Sequence, residues 1–127
     1  MSEVASIVLL SDHLDETVAF YRSLGVPLEE EDHGGGVMHA AGELNGLHLA
    51  VLACRGASPS PTWRSGGSTF VGFWVQSLEE VVAALQVTGA EVLAGHERRE
   101  WGCRVVLLDP DGRAVEINQR DHCPVPA

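Results

Sequence analysis

The stretch Leu14-Asp15-Glu16-Thr17-Val18-Ala19-Phe20-Tyr21-Arg22-Ser23-Leu24-Gly25 (residues 14–25) has a counterpart later in the chain. Its landmarks Leu14, Val18 and Gly25 return as Leu78, Val82 and Gly89, each displaced by 64 residues. In both stretches the apolar residues fall at helical spacing, and a glycine stands where a left-handed residue would end the helix. One offset carrying several landmarks predicts two tandem copies of one module. Each copy reads as a strand, a helix closed by glycine, and three further strands. The copies span about residues 1–55 and 68–120, with a linker over 56–67, and together form a single α+β domain.

Outward from the first helix, Ser6 to Leu10 is a short apolar run suited to a strand, and Asp12 is a candidate N-cap. Pro27 prevents the helix from resuming after Gly25. Glu29 to Asp32 is an acidic run that leads, as a solvated loop, to Gly34-Gly35-Gly36. Val37 to Leu44 and Leu47 to Cys54 read as strands joined by Asn45-Gly46, a strong hairpin signal because both turn positions need positive φ. The second copy opens with Thr69 to Val75, and Ser77 with Glu80 forms a capping box before its helix. Glu91 to Leu93, Cys103 to Leu108 and Arg113 to Asn118 are its remaining strands, the last two joined by the turn Asp109-Pro110-Asp111-Gly112. That turn lacks the rest of a calcium loop.

The 127 residues are 45% hydrophobic and 20% charged, an ordinary globular mixture. Eighteen acidic residues against eight basic ones give a net charge of −10, which disfavours nucleic acid and anionic lipid as partners. A cationic small molecule suits that field better. Cys54, Cys103 and Cys123 lack metal-type spacing and are expected as reduced, structural thiols. No run reaches the roughly 20 apolar residues of a membrane span, and the N-terminus has no signal-peptide pattern. A cytoplasmic protein is expected.

The segment from Asp15 to Gly25, together with Trp101-Gly102-Cys103-Arg104 and Asp109-Pro110-Asp111-Gly112-Arg113-Ala114-Val115-Glu116, resembles the glyoxalase/bleomycin resistance (vicinal oxygen chelate) superfamily. The resemblance covers nearly the whole chain. It implies paired βαβββ modules whose sheets curl around a pocket, commonly completed in a homodimer with pockets near the subunit interface. In the metal-dependent members the ligands come from the first and last strands of each module, and the matching positions here are Ser6, Ala50, Phe70 and Glu116. Ala and Phe offer no donor and a serine hydroxyl is a weak ligand, so no metal and no cofactor are expected. A displaced set of His39, His48 and Glu116 is the alternative, since His48 shares a strand face with Ala50 and His39 lies on the neighbouring strand. His13, His33, His96 and His122 read as surface or loop residues.

Strand parity supplies the rest of the site. If Phe70 faces a pocket, Gly72 and Trp74 share its face, while Val71, Phe73 and Val75 turn to the helix and Phe73 joins the core. On the last strand Ala114, Glu116 and Asn118 face inward. Trp101 stands where related drug-binding members also carry tryptophan, and Trp63 is an unusual indole in the linker. Glu116 either contacts ligand or pairs with Arg104 or Arg113. The candidate ligand-binding set is Phe70, Trp74, Trp101, Glu116, His39, His48, Trp63 and Arg104, with no catalytic residue. The resemblance points to a metal-free protein that sequesters a bulky aromatic or cationic antibiotic of the bleomycin, mitomycin, enediyne or peptide class. Competing readings are a metal-dependent lyase or dioxygenase using the displaced histidines, a metal-free enzyme with Glu116 as general base, and a flavin- or metabolite-binding protein.

Overall fold

Two copies of strand-helix-strand-strand-strand follow one another in the computed structural model, which describes residues 6–31, 39–53 and 71–123. The first copy is β1 (Ser6–Ser11), α1 (Leu14–Leu24), β2 (Glu29–Glu31), β3 (His39–Leu44) and β4 (Leu47–Ala53). The second is β5 (Val71–Trp74), α2 (Leu78–Val87), β6 (Glu91–Arg99), β7 (Gly102–Leu108) and β8 (Ala114–Gln119). The chain divides into two compact units, one ending at Ser60 and the other beginning at Pro61. Each holds a four-stranded mixed sheet, ordered β1-β4-β3-β2 in the first and β5-β8-β7-β6 in the second. The first strand of each unit runs parallel to the last, and the other pairings are antiparallel. This is the repeated α+β architecture that the 64-residue offset predicts. Cys54, Gly34 to Gly36, His33 and the linker with Trp63 lie outside the described residues, as does Phe70.

In the first unit Val18, Phe20, Tyr21 and Leu24 of α1 are buried, as are Leu9, Leu49 and Val51 on one face of the sheet. Phe20 and Tyr21 meet edge to face with ring centroids 5.0 Å apart. Gly25 ends α1 at φ 107°, and its N–H donates to the carbonyl of Arg22 at 3.0 Å. Asn45 and Gly46 both take positive φ, 53° and 84°, as the hairpin requires.

In the second unit Leu78, Val82 and Leu85 of α2 are buried, as are Cys103, Val105, Leu107, Val115 and Ile117, which share one face of β7 and β8. On the opposite face Val106, Leu108 and Ala114 form a smaller cluster with Leu93 and Ala94. Ser77 caps α2 by accepting from the Glu80 N–H at 3.3 Å. Gln119, at the end of β8, accepts from the Leu78 N–H at 2.7 Å and donates to the carbonyls of Asp121 and His122 at 2.7 and 2.8 Å.

Five expectations are corrected. His13, not Asp12, is the N-cap of α1, because Ser11 Oγ accepts from the His13 N–H at 3.0 Å and donates to Thr17 Oγ1 at 2.9 Å, fixing the reversal one residue later. The first three residues of the acidic run form β2, paired antiparallel with His39 to Ala41. β6 extends six residues past Leu93, with register shifts at Val92/Ala94 and Ala94/Glu97. Phe73 is only partly buried. Cys103 and Cys123 are joined in a disulfide, since the turn after β8 folds back and leaves their Cα atoms 5.7 Å apart, within bridging range.

Candidate functional site

Register decides which side chains share a face, and in the second unit it brings together several of the residues singled out from the sequence. Gly72 pairs with Glu116 and Trp74 with Asn118 across β5 and β8, while Asn118 also pairs with Arg104 and Glu116 with Val106 across β8 and β7. Directly opposed residues project to the same side, so Gly72, Trp74, Arg104, Glu116 and Asn118 occupy one face, away from the buried set of Val105, Val115 and Ile117.

Trp74 is 51% exposed and Trp101 42%. Trp101 stands at the tip between β6 and β7, and the two indoles meet edge to face with centroids 5.4 Å apart. The Arg120 guanidinium carbon lies 3.9 Å from the Trp74 ring centroid, a cation–π contact. Beside Trp101 opens a cleft of about 210 Å³, also lined by Arg98, Arg99, Arg120 and His122.

Arg104 decides the fate of Glu116. Its Nη1 donates to Glu116 Oε1 at 3.4 Å and its Nε to Glu97 Oε2 at 3.1 Å, and Glu97 is further paired with Arg99. Arg113 is committed elsewhere, to Asp109 at 2.8 Å and Asp111 at 3.3 Å. Of the two open pairings for Glu116, the one with Arg104 is realised. Hydrogen bonding from Arg104 holds the Glu97 carboxyl below its ordinary range against an opposing effect of burial, and the charges of Arg104 and Arg99 add to the lowering. Burial works against the charged form of Arg104, but hydrogen bonds to Glu97 and Glu116 outweigh it and raise its pKa.

Gly72 forms the floor of this face. A Cβ there would lie 3.5 Å from Asn118 Nδ2 and 3.7 Å from Glu116 Oε2, at ordinary contact distance. Asn118 is 8% exposed and its Nδ2 donates to the Phe73 carbonyl at 3.3 Å, whereas its Oδ1 is buried without a hydrogen-bond partner among the described residues. Sequence reading placed Asn118 on this face but did not single it out, because one strand asparagine gives no hint of an unmet acceptor.

The first unit offers a second face, carrying Ser6, Val8 and Leu10 of β1, His48 and Ala50 of β4, and His39 and Ala41 of β3. His39 Nε2 is 3.0 Å from Glu31 Oε2 and His48 Nδ1 is 2.9 Å from Glu43 Oε1, so each histidine has its own carboxylate. Ala50 is buried and has no donor atom. Among the described residues no three His, Cys, Asp or Glu side chains group as a metal site. In the first unit Ser6 and Ala50 together offer a single hydroxyl as a donor, a poor fit to a divalent ion.

The family model of the Glyoxalase/Bleomycin resistance protein/Dioxygenase superfamily matches residues 3–117. The chain belongs to that superfamily. An uncharacterized protein of Mycolicibacterium smegmatis is 31% identical over 118 residues, covering 89% of this chain and 90% of its own length. Among solved structures, a glyoxalase-related enzyme from Fulvimarina pelagi superposes with a TM-score of 0.73 at 21% identity, over 100% of this chain and 94% of that one. The fosfomycin resistance protein FosX of Listeria monocytogenes, as a variant complexed with Mn(II) and 1S,2S-dihydroxypropylphosphonic acid, does so with a TM-score of 0.69 at 19% identity, over 93% and 90%. At these identities the likeness shows the superfamily's fold, on which members differ in chemistry by the side chains they place in it.

Proposed function

We propose that this superfamily member binds a bulky, planar aromatic small molecule and holds it unaltered, as a sequestering protein does for an antibiotic. The observation that carries the reading is the half-exposed pair Trp74 and Trp101, set edge to face, with Gly72 on the same strand face as Trp74. Exposed indoles present large rigid surface at low entropic cost, and each ring stacked on a ligand contributes about 0.5–1.5 kcal/mol beyond area burial. The donor set supports binding over metal-assisted chemistry, since Ala50 has no donor and Glu116 is engaged by Arg104.

The test is a tryptophan-fluorescence titration of the purified protein against bleomycin, mitomycin, enediyne and peptide antibiotics, with the bound compound recovered and weighed by mass spectrometry. Saturable quenching by one class, with the compound intact and affinity reduced about tenfold or more in Trp74→Ala, is the expected result. A compound returned chemically altered would sink the sequestration reading.

A further inference from the structure

The chain is acidic as a whole, with a net charge of −10, and its eight basic residues are all arginine. Six of them lie among the described residues. Arg22 donates to the Leu28 carbonyl at 2.9 Å, Arg104 holds Glu97 and Glu116, and Arg113 holds Asp109 and Asp111. The other three, Arg98, Arg99 and Arg120, line the cleft of about 210 Å³ beside Trp101. Its walls are fixed before any ligand arrives, which lowers the ordering cost of binding. Arg98 and Arg99 pair with Cys103 and Gly102 in the ladder of β6 and β7. The turn carrying Arg120 is anchored by the bridge from Cys123 to Cys103 and by Gln119 Nε2, which donates to the Asp121 and His122 carbonyls at 2.7 and 2.8 Å.

The cleft is continuous with the exposed indoles, since Trp101 lines it and Arg120 reaches from it over the Trp74 ring. That contact draws on the charge of Arg120 and not on its N–H edge. Arg99 is paired with Glu97, but the two side chains are 44% and 38% exposed, and surface pairs of this kind yield at little cost. Guanidinium forks match the oxygens of an oxyanion two at a time. Glu100 and Asp121 line the same cleft, so three positive charges face two negative ones. Such a balance gives a singly charged carboxylate little advantage and suits a doubly charged tetrahedral oxyanion, whose three oxygens can be shared among the forks.

We propose that this cleft anchors the ligand by an anionic head, and that the ligand is an aromatic molecule carrying a phosphate-type oxyanion, its ring against Trp101 and Trp74 and its oxygens among Arg98, Arg99 and Arg120. The proposal rests on the aromatic-binding reading above and adds to it the charge of the ligand. It reverses what the net charge of the chain suggests, because the field at this cleft is set by the three arginines and not by the distant carboxylates.

The test compares phenyl phosphate, benzamide and inorganic phosphate by tryptophan fluorescence, the last as a competitor, at pH about 7.5, where a phosphate monoester is close to doubly charged. Phenyl phosphate should bind about tenfold tighter than benzamide, the effect of one charge-assisted hydrogen bond, and this advantage should shrink at high salt. It should be lost in Arg98→Gln and in Arg120→Gln, both exposed positions that the fold does not need. Glu100→Gln should strengthen phenyl phosphate binding, a gain that mere damage to the fold cannot produce. Benzamide binding as tightly as phenyl phosphate, or an advantage that survives both arginine variants, overturns the anchor while leaving the aromatic reading intact. Inorganic phosphate competing as well as phenyl phosphate binds means that the ring adds nothing, which overturns the proposal and the aromatic reading together. No binding by phenyl phosphate or benzamide also overturns both.

Discussion

Arg104 is shared by two glutamates, and the two contacts differ in what they do. Toward Glu116 it orients a carboxylate on the face that carries Trp74, and toward Glu97 it holds an edge-strand carboxylate ionised below the ordinary range. A carboxyl whose pKa is depressed in the folded state contributes stability above its unfolded pKa and loses it as pH falls. The melting-temperature difference between the native protein and Glu97→Gln should therefore be largest near neutrality and shrink as the pH is lowered through the glutamate range. A difference that grows on acidification would contradict the pairing. Arg113 makes the stronger case, because the Asp109 and Asp111 side chains it serves are 0% and 1% exposed. Arg113→Met takes the guanidinium away from two buried carboxylates, and denaturant titration should show a loss of about 3–5 kcal/mol. At this scale strand parity was legible from alternation alone, which is why Trp74, Glu116 and Asn118 share one face. The partner of Glu116 was not, since Arg104 and Arg113 both stand within reach in sequence and only the Asp-Pro-Asp-Gly turn, by capturing Arg113, settles the choice.

Among the elements, α2 shows how a helix terminus is secured by a residue far away in sequence. Ser77 caps locally, and the sequence announces it through Glu80; Gln119 accepts from the Leu78 N–H from 41 residues away and anchors the C-terminal turn through two more bonds. Ser77→Ala should cost about 1 kcal/mol. Gln119→Leu, which leaves one buried donor and two carbonyls without their partner, should cost about 2–3 kcal/mol in the same denaturant titration. Equal losses would mean that Gln119 contributes only a second cap. β6 was half legible for a related reason. Its outer part, His96-Glu97-Arg98-Arg99, is charged and follows Gly95, a composition that reads as loop, yet it lies at the edge of its sheet, where charged side chains remain solvated and discourage pairing with other chains. The cleft beside Trp101, lined by Arg98, Arg99 and Arg120 together with Glu100 and Asp121, exists because that edge strand continues to the tip.

For the molecule as a whole, the repeat is the signal that fixed both sheets, and the two units depart from each other where function and stability diverge. Only the second has its end tied back by a disulfide among the described residues, Cys103 to Cys123, twenty residues apart. No spacing rule betrays this pair, because Cys103 is opposed to Gln119 in the ladder and Cys123 comes near it only once the chain turns after β8. The turn packs so closely that a Cβ on Gly102 would lie 1.9 Å from the Gln119 carbonyl oxygen. The bridge thereby holds Arg120 over Trp74 and His122 beside Trp101, so it bears on the exposed indole pair as well as on stability. Closing a loop of this length constrains the unfolded chain by about 3 kcal/mol. Denatured, unreduced protein should titrate a single thiol, Cys54, out of three cysteines. Cys123→Ser should lower the melting temperature by several degrees and increase the solvent exposure of tryptophan, read as a red-shifted emission, because Arg120 is released from the indole it covers. Three titrating thiols in freshly purified protein, with the melting temperature unmoved by reductant, would show that the bridge does not form where the chain folds, as expected of a reducing compartment.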